Sequence, residues 1–253
     1  MKLICLITGF FFINPSGDWL LKKEKGFTIY YKADDVMNLA VYDSFIKKGM
    51  HEVQTFFSTN YKNEFAIYIH PGRSSLDSTW QHDWKMPEFQ SECWMVASGI
   101  ANRLDMISPL RWTTESCEHD YSDKTETQKL IEHELVHVFH TQRSKSNDFS
   151  DTENLDWFVE GLATYASGQI TQEKIVQLKK AISENKIPSS LNDFWKGKMR
   201  YQLSGSAVMF IDKTFGRKKL ISLLPFTKKS EVLSALNISE VLLLSDWKNF
   251  MMK

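Results

Sequence analysis

The chain has 253 residues, of which 42% are hydrophobic and 25% are charged, and its 31 basic side chains balance its 31 acidic ones. This composition is typical of a globular protein and excludes the disordered and collagen-like classes. The zero net charge gives no indication of binding to nucleic acid or to an anionic membrane.

The N-terminal residues have the pattern of a secretory signal. Lys2 precedes an apolar run over 3–13, and residues 14–17 are polar and small, as near a cleavage site. The run is too short to span a bilayer comfortably, so no stable membrane span is expected. We expect a signal peptide over 1–17 and a secreted or periplasmic protein, with a buried first strand as the alternative. No linker or internal repeat divides the remainder, which predicts one domain over 18–253.

Two short strands and one helix are predicted in the first third of the chain. Residues 27–32 and 64–70 are rich in β-branched and aromatic side chains, which is typical of strands. Between them, Asp34 or Asp35 can cap a helix, and mostly apolar residues then recur at helical spacing. The residues of that face are Leu39, Asp43, Ile46, Met50, Val53 and Phe57.

The middle of the chain is less regular. Residues 73–92 are rich in Trp, Asp and Ser, and we expect them to be irregular, with no assigned role. Residues 94–106 are apolar and suit a strand. Residues 96–101 are our candidate for an edge strand that binds an extended peptide, because Gly99 permits close backbone approach; a core strand is the alternative. Cys93 and Cys117 are either bonded to each other or free thiols.

From about residue 123 the pattern becomes helical. Asp123 with Glu126 is a plausible cap for one helix, and Ser150 with Glu153 forms a capping box for the next, which should stop at Gly168. Further helices are predicted over 171–185, 201–215 and 239–252. Strands first and helices later indicate an α+β domain.

The run HELVH places His133, Glu134 and His137 within five residues. On a helix, residues four apart lie on one face, so both imidazoles can bind the same metal ion. Glu134 is then suited to act on a metal-bound water rather than to bind the metal. The pattern indicates a catalytic zinc site, which has three protein ligands and an open fourth position. The alternative is a surface helix with two incidental histidines.

The third zinc ligand has to come from outside this pair. His140 lies on the same helix face, but its backbone is about 10.5 Å along the axis from that of His133. Zinc bonds are only about 2 Å long, so the three histidines cannot readily converge. Arg143 stands where a metzincin would have a histidine, which disfavours that class. Glu160, in WFVEGLATY, is the remaining candidate, and Gly161 beside it suggests close packing against the histidine helix.

These two motifs together resemble the gluzincin metallopeptidases, specifically the peptidase MA-like group. The resemblance covers about residues 94–225. It implies an α+β, zincin-like fold in which a small N-terminal mixed sheet with helices precedes a helical C-terminal part. It also implies Zn2+ held by His133, His137 and Glu160, with Glu134 as the general base.

Related enzymes add a Tyr or His side chain that stabilises the oxyanion. The resemblance implies Tyr201 for this role, with Tyr165 as the rival; the alternative for either tyrosine is a core residue of its helix. One turn after Glu160, where some gluzincins have an Asp that orients a ligand histidine, this chain has Thr164. The group that accepts a hydrogen bond from the ligand histidines and orients them is therefore unassigned, with Asp156 or a backbone carbonyl as candidates.

The predicted function is that of a zinc metallopeptidase that hydrolyses a peptide or protein substrate. The first alternative is a catalytically inactive zincin-like protein that binds metal or peptide. The second is a non-enzymatic helical interaction module in which the histidines are incidental. No nucleic-acid partner is expected.

Overall fold

The computed structural model describes residues 19–253 of the protein. The predicted signal peptide, 1–17, lies outside these residues. Within 19–253, no helix has both the length and the apolar character needed to cross a membrane.

The described chain contains a mixed sheet of five strands. The strands are β1 (Leu20–Glu24), β2 (Phe27–Tyr31), β3 (Phe65–His70), β4 (Ala97–Ile100) and β5 (Arg103–Ile107). They lie in the order β1-β2-β3-β5-β4. Strands β2, β3 and β5 are parallel, whereas β1 and β4 pair antiparallel with their neighbours. Strand β4 is therefore an edge strand, and it lies within the segment predicted to be one.

The helices lie between and after the strands. They are α1 (Leu39–Phe57), α2 (Arg73–Trp84), α3 (Trp112–Glu115), α4 (Lys124–Thr141), α5 (Asp156–Ala166), α6 (Gln172–Ser183), α7 (Arg200–Phe215), α8 (Arg217–Ser222), α9 (Lys229–Leu236) and α10 (Glu240–Met252). Helices α6, α7 and α10 match the three predicted near the C-terminus, and the short α8 and α9 were not predicted. The mixed α+β class is confirmed.

Two local predictions are wrong. Residues 73–92 are not wholly irregular, because helix α2 occupies most of them and buries Leu76 and Trp80, which are four residues apart. The other apolar positions of that helix are too few to reveal the period. Helix α5 does not begin at a capping box at Ser150, whose hydroxyl instead donates to Asp148 at 2.6 Å in the preceding loop.

The predicted helix cap at Asp34 or Asp35 is also wrong. A short 3-10 helix, Ala33–Asn38, precedes α1, and Asp35 lies within it. The buried Asp35 carboxylate accepts hydrogen bonds from the hydroxyls of Tyr42 at 3.0 Å and Ser108 at 2.7 Å. Asp35 thus joins α1 to the end of β5 instead of capping a helix.

The main hydrophobic core lies between the sheet, α1 and the later helices, with α4 at its centre. Most side chains of α4 from Thr127 onward are buried. Phe139 of α4 stacks on Phe57 of α1, with ring centroids 4.2 Å apart. Burial on several sides makes α4 a rigid support for the side chains it carries.

A second, smaller core lies beyond the edge strand. Its buried residues are Leu76, Trp80, Val96, Ile107, Trp112 and Leu130. A disulfide joins Cys93 to Cys117, and the Arg73 guanidinium donates to the carbonyl oxygens of Glu92 and Met95, both at 2.9 Å. Residues 91–96 and 115–119 are thereby held together, and we call them the disulfide wall.

Candidate metal centre

Helix α4 carries the HELVH run into the interior. It begins as predicted, because the Asp123 carboxylate accepts hydrogen bonds from the backbone N–H groups of Thr125 and Glu126, both at 3.0 Å. These N–H groups have no partner within the helix itself. The side chains of His133 and His137 are almost fully buried on this helix.

Glu160 reaches the histidines from α5, the helix that packs across α4. The neighbouring Gly161 does allow close packing, but against a different helix from the one predicted. A Cβ atom at Gly161 would lie 2.4 Å from the carbonyl oxygen of Ser204 on α7. The approach of α5 to α7, and not of α5 to α4, is what requires glycine here.

Three potential ligand atoms converge between α4 and α5. The Nε2 atoms of His133 and His137 are 3.1 Å apart. Glu160 Oε2 lies 3.2 Å from Nε2 of His133 and 3.6 Å from Nε2 of His137. Atoms that share a tetrahedral zinc ion at bonds of about 2.0–2.1 Å lie about 3.3 Å from one another. The three residues therefore fit a metal ion in both donor type and spacing.

The charge state of Glu160 also suits a metal ligand. Burial raises the pKa of its carboxyl, but the imidazoles of His137 and His133 outweigh burial and hold that pKa well below its usual range. The ionised carboxylate is the form that binds a metal ion.

The side chain that orients His133 was missed by sequence reasoning. Gln169 Oε1 lies 3.0 Å from His133 Nδ1, so an Nδ1–H would donate to the amide and leave Nε2 free to bind metal. Within residues 19–253, neither Thr164 nor Asp156 makes a hydrogen bond to this histidine. Gln169 follows Gly168, which has a φ of +70° and turns the chain after α5. No motif in the sequence indicates that Gln169 would contact His133.

Glu134 lies beside the three ligand atoms and is almost fully buried. Burial and the charge of Glu160 raise the pKa of its carboxyl to about 7, although His133 and the Gly99 backbone N–H act in the opposite direction. Strand β4 packs directly on this part of α4, because a Cβ atom at Gly99 would lie 2.3 Å from the Glu134 carbonyl oxygen. Gly99 thus allows the backbone of β4 to approach the backbone of α4 closely.

The two candidate tyrosines lie in different places. The Tyr201 ring is near His133, with centroids 6.4 Å apart, and it lines the cleft above the ligand cluster. The Tyr165 hydroxyl instead donates to Asp212 at 2.8 Å, and its ring packs against Phe56. Of the two tyrosines, only Tyr201 lines the cleft.

His140 lies outside the ligand cluster, as its spacing predicted. Its side chain is fully buried, and its ring packs edge-on against Phe149 and Phe158. Burial lowers the pKa of this histidine to about 3. His140 is therefore a neutral packing residue beside the cluster.

The ligand cluster opens into a cleft of about 290 Å³. Strand β4 and Trp94 of the disulfide wall line this cleft, as do Trp195, which precedes α7, and Tyr201, the second residue of α7. His119 lines it as well, and its Nε2 atom lies 3.2 Å from the Trp94 carbonyl oxygen. The cleft thus places an edge strand and several aromatic rings beside a potential metal site.

Comparison with protein-family models and with curated proteins gave no match. Several solved structures are similar. An M1 zinc metallopeptidase from Deinococcus radiodurans is 14% identical, with a TM-score of 0.49 over 89% of this chain and 47% of that one. A mutant two-domain M1 zinc metallopeptidase bound to L-tryptophan is 13% identical, with a TM-score of 0.49 over 90% of this chain and 48% of that one. Native yeast LTA4 hydrolase is 13% identical, with a TM-score of 0.49 over 93% and 38%.

The chain spans less than half the length of each of these three proteins. Two of the three are named as zinc metallopeptidases.

Proposed function

We propose that the protein is a zinc-dependent peptidase that hydrolyses peptide bonds. The observation that carries this proposal is the convergence of His133, His137 and Glu160 at the floor of a cleft, with Glu134 directly beside them. Two imidazoles and one carboxylate form the ligand set of a catalytic zinc site with an open position.

His133, His137 and Glu160 would hold the metal ion. Zinc at this position supplies Lewis acidity, which acidifies a water molecule and polarises the carbonyl group to be attacked. Gln169 holds the His133 ring in the tautomer that leaves Nε2 available. The packing of α4 in the main core keeps the helix face that carries both histidines in a fixed position.

Glu134 would act as the general base. Its carboxylate takes a proton from the attacking water and passes it to the leaving amine. Burial and the charge of Glu160 raise its pKa to about 7. A cation bound nearby favours the ionised form that a base requires.

The remaining parts of the cleft would bind and orient the peptide. Residues Ala97, Ser98, Gly99 and Ile100 of β4 line the cleft, and the free edge of β4 can pair with an extended chain. The Tyr201 hydroxyl would donate a hydrogen bond to the oxyanion that forms as water attacks the carbonyl.

The test combines zinc quantification with digestion of a peptide library. Wild-type protein and Glu134→Gln should both contain stoichiometric zinc, whereas the variant should lose hydrolysis by a factor of about 10²–10⁴. Glu132→Gln is the matched control, since Glu132 is also a buried carboxyl of α4 but does not line the cleft.

Three outcomes would contradict the proposal or its parts. A folded wild-type protein without zinc would contradict the metal site. Zinc binding without hydrolysis of any peptide would favour the inactive zincin-like alternative. Equal loss of activity in both variants would show that Glu134 has no special role.

We also propose that the protein functions outside the cytoplasm. The Cys93–Cys117 disulfide supports this placement, because disulfides persist mainly in oxidising compartments. Fractionation of cells that make the full chain should find the protein in the extracytoplasmic fraction. Recovery from the cytoplasm with two free thiols at these positions would contradict the proposal.

A further inference from the structure

Arg200, the first residue of α7, lies among three aromatic rings. Its Cζ atom is 4.7 Å from the ring centroid of Trp94, 4.9 Å from that of Tyr201 and 5.8 Å from that of Trp195. A guanidinium group at such distances is attracted to the faces of aromatic rings. The three rings line the cleft beside the ligand cluster, whereas Arg200 does not.

The polar partners of Arg200 are few for a largely buried cation. Its side chain is 17% exposed, and its terminal nitrogen reaches Glu118 at 3.3 Å. Its Nε atom is buried and has no hydrogen-bond partner among the described residues. A buried donor without a partner destabilises the fold, so the hydrogen bonds of Arg200 alone do not account for an arginine here.

The contacts of Arg200 instead join two segments of the chain that line the cleft. Glu118 and Trp94 belong to the disulfide wall and directly follow its two cysteines in the sequence. Trp195 precedes α7 and Tyr201 belongs to it, and their rings pack edge-on at 5.0 Å. The planar guanidinium is thus the cationic link between the disulfide wall and the tyrosine beside His133.

We propose that Arg200 is a positioning residue that holds the Tyr201 side chain against the metal-ligand cluster and ties it to the disulfide wall. The proposal rests on the proposed function, because it assigns Arg200 a role in placing the oxyanion donor. The peptide itself would touch the aromatic rings and Tyr201, and Arg200 would act through them.

A double-mutant cycle with Arg200→Met and Tyr201→Phe tests this role. Arg200→Met should keep its zinc and lower kcat by about tenfold to a hundredfold, which is the effect of misplacing a group that acts in the transition state. KM should change by less than about threefold, because the contact is made mainly in the transition state. In the Tyr201→Phe background, Arg200→Met should lower kcat by less than about threefold, since no hydroxyl remains to be positioned.

Arg143→Met is the matched control. Arg143 also stacks on an aromatic ring, that of Phe139, with its Cζ atom 3.4 Å from the centroid, but it lies away from the cleft. Its replacement should leave kcat and KM unchanged. If Arg200→Met does not fold, Arg200→Lys keeps the charge without the planar group, and its cycle with Tyr201→Phe has the same expected result.

Two results would overturn the proposal. Additive losses in the double variant would show that Arg200 acts independently of Tyr201. A rise in KM for peptides with a free C-terminal carboxylate, absent for their amidated forms, would show that Arg200 binds the substrate directly. An inactive wild-type protein would overturn both the proposed function and the role of Arg200. Additive losses in an active protein would overturn only the role of Arg200, so the activity assay distinguishes the two failures.

Discussion

Replacement of Gly161 by Ala tests how closely the helix that carries Glu160 has to pack. In a helix interior this change normally stabilises a protein by about 1 kcal/mol, because alanine loses less conformational freedom on folding. Here the added methyl group would lie 2.4 Å from the Ser204 carbonyl oxygen and 2.7 Å from its carbonyl carbon. Both atoms belong to the backbone of α7, so no side-chain rotation relieves the overlap.

The two effects oppose each other, and overpacking is the larger. Inserting a methyl group into a well-packed interior costs about 1–3 kcal/mol, and a backbone obstacle favours the upper end of that range. The expected net change is a loss of about 2 kcal/mol in the free energy of unfolding. For a chain of this size, the melting temperature should fall by about 4–8 °C. Because Gly161 adjoins Glu160, zinc occupancy should fall as well.

Thermal unfolding followed by circular dichroism, with and without a chelator, measures both effects. Gly205→Ala is the matched control, because Gly205 is a helix-interior glycine of α7 whose added methyl would meet mainly the flexible end of the Ile170 side chain, at 2.5 Å. That side chain can move, so the control should melt closer to wild type. A Gly161→Ala protein that melts at or above the wild-type temperature would refute the packing argument.

Three further predictions concern the metal site and the disulfide wall. Glu160→Ala should lower zinc occupancy, measured by elemental analysis, more than His140→Ala does, because Glu160 supplies a converging ligand atom and His140 does not. Equal occupancy in the two variants would contradict the assignment of Glu160 as a ligand. Gln169→Leu should weaken zinc binding by about 10–100-fold in a chelator competition, because it removes the group that orients His133, and unchanged affinity would contradict that role. Replacing Cys93 and Cys117 by Ser should lower the free energy of unfolding in urea by about 3.5 kcal/mol, from the entropy of the loop they close; a loss under about 1 kcal/mol would contradict that estimate.

Much of the region around the ligand cluster could be predicted from the sequence because its signals are local. The Asp123 cap and the i, i+4 spacing of His133 and His137 both act within two turns of one helix. Distance along the same helix excluded His140 as a third ligand, and the ligand role of Glu160 was implied by the resemblance that the WFVEGLATY segment carries. The structure then brings the three potential ligand atoms together.

The contacts that complete the cleft could not be predicted in this way. Gln169 is 36 residues from His133, and the chain has to turn at Gly168 before the two can meet. The partner of Gly161 was wrongly expected to be α4, since a glycine shows that something approaches closely but not which helix does so.

The sequence by itself determined the α+β class, the strands β2 and β3, most of the long helices and the residues of the HELVH helix, because each depends on periodicity or capping over a few residues. Only the tertiary structure decided that Cys93 and Cys117 are bonded, that Tyr201 and not Tyr165 lines the cleft, and that Arg200 lies among three rings. These features join residues that are distant in the chain, and they are set by how the helices and the sheet pack on one another.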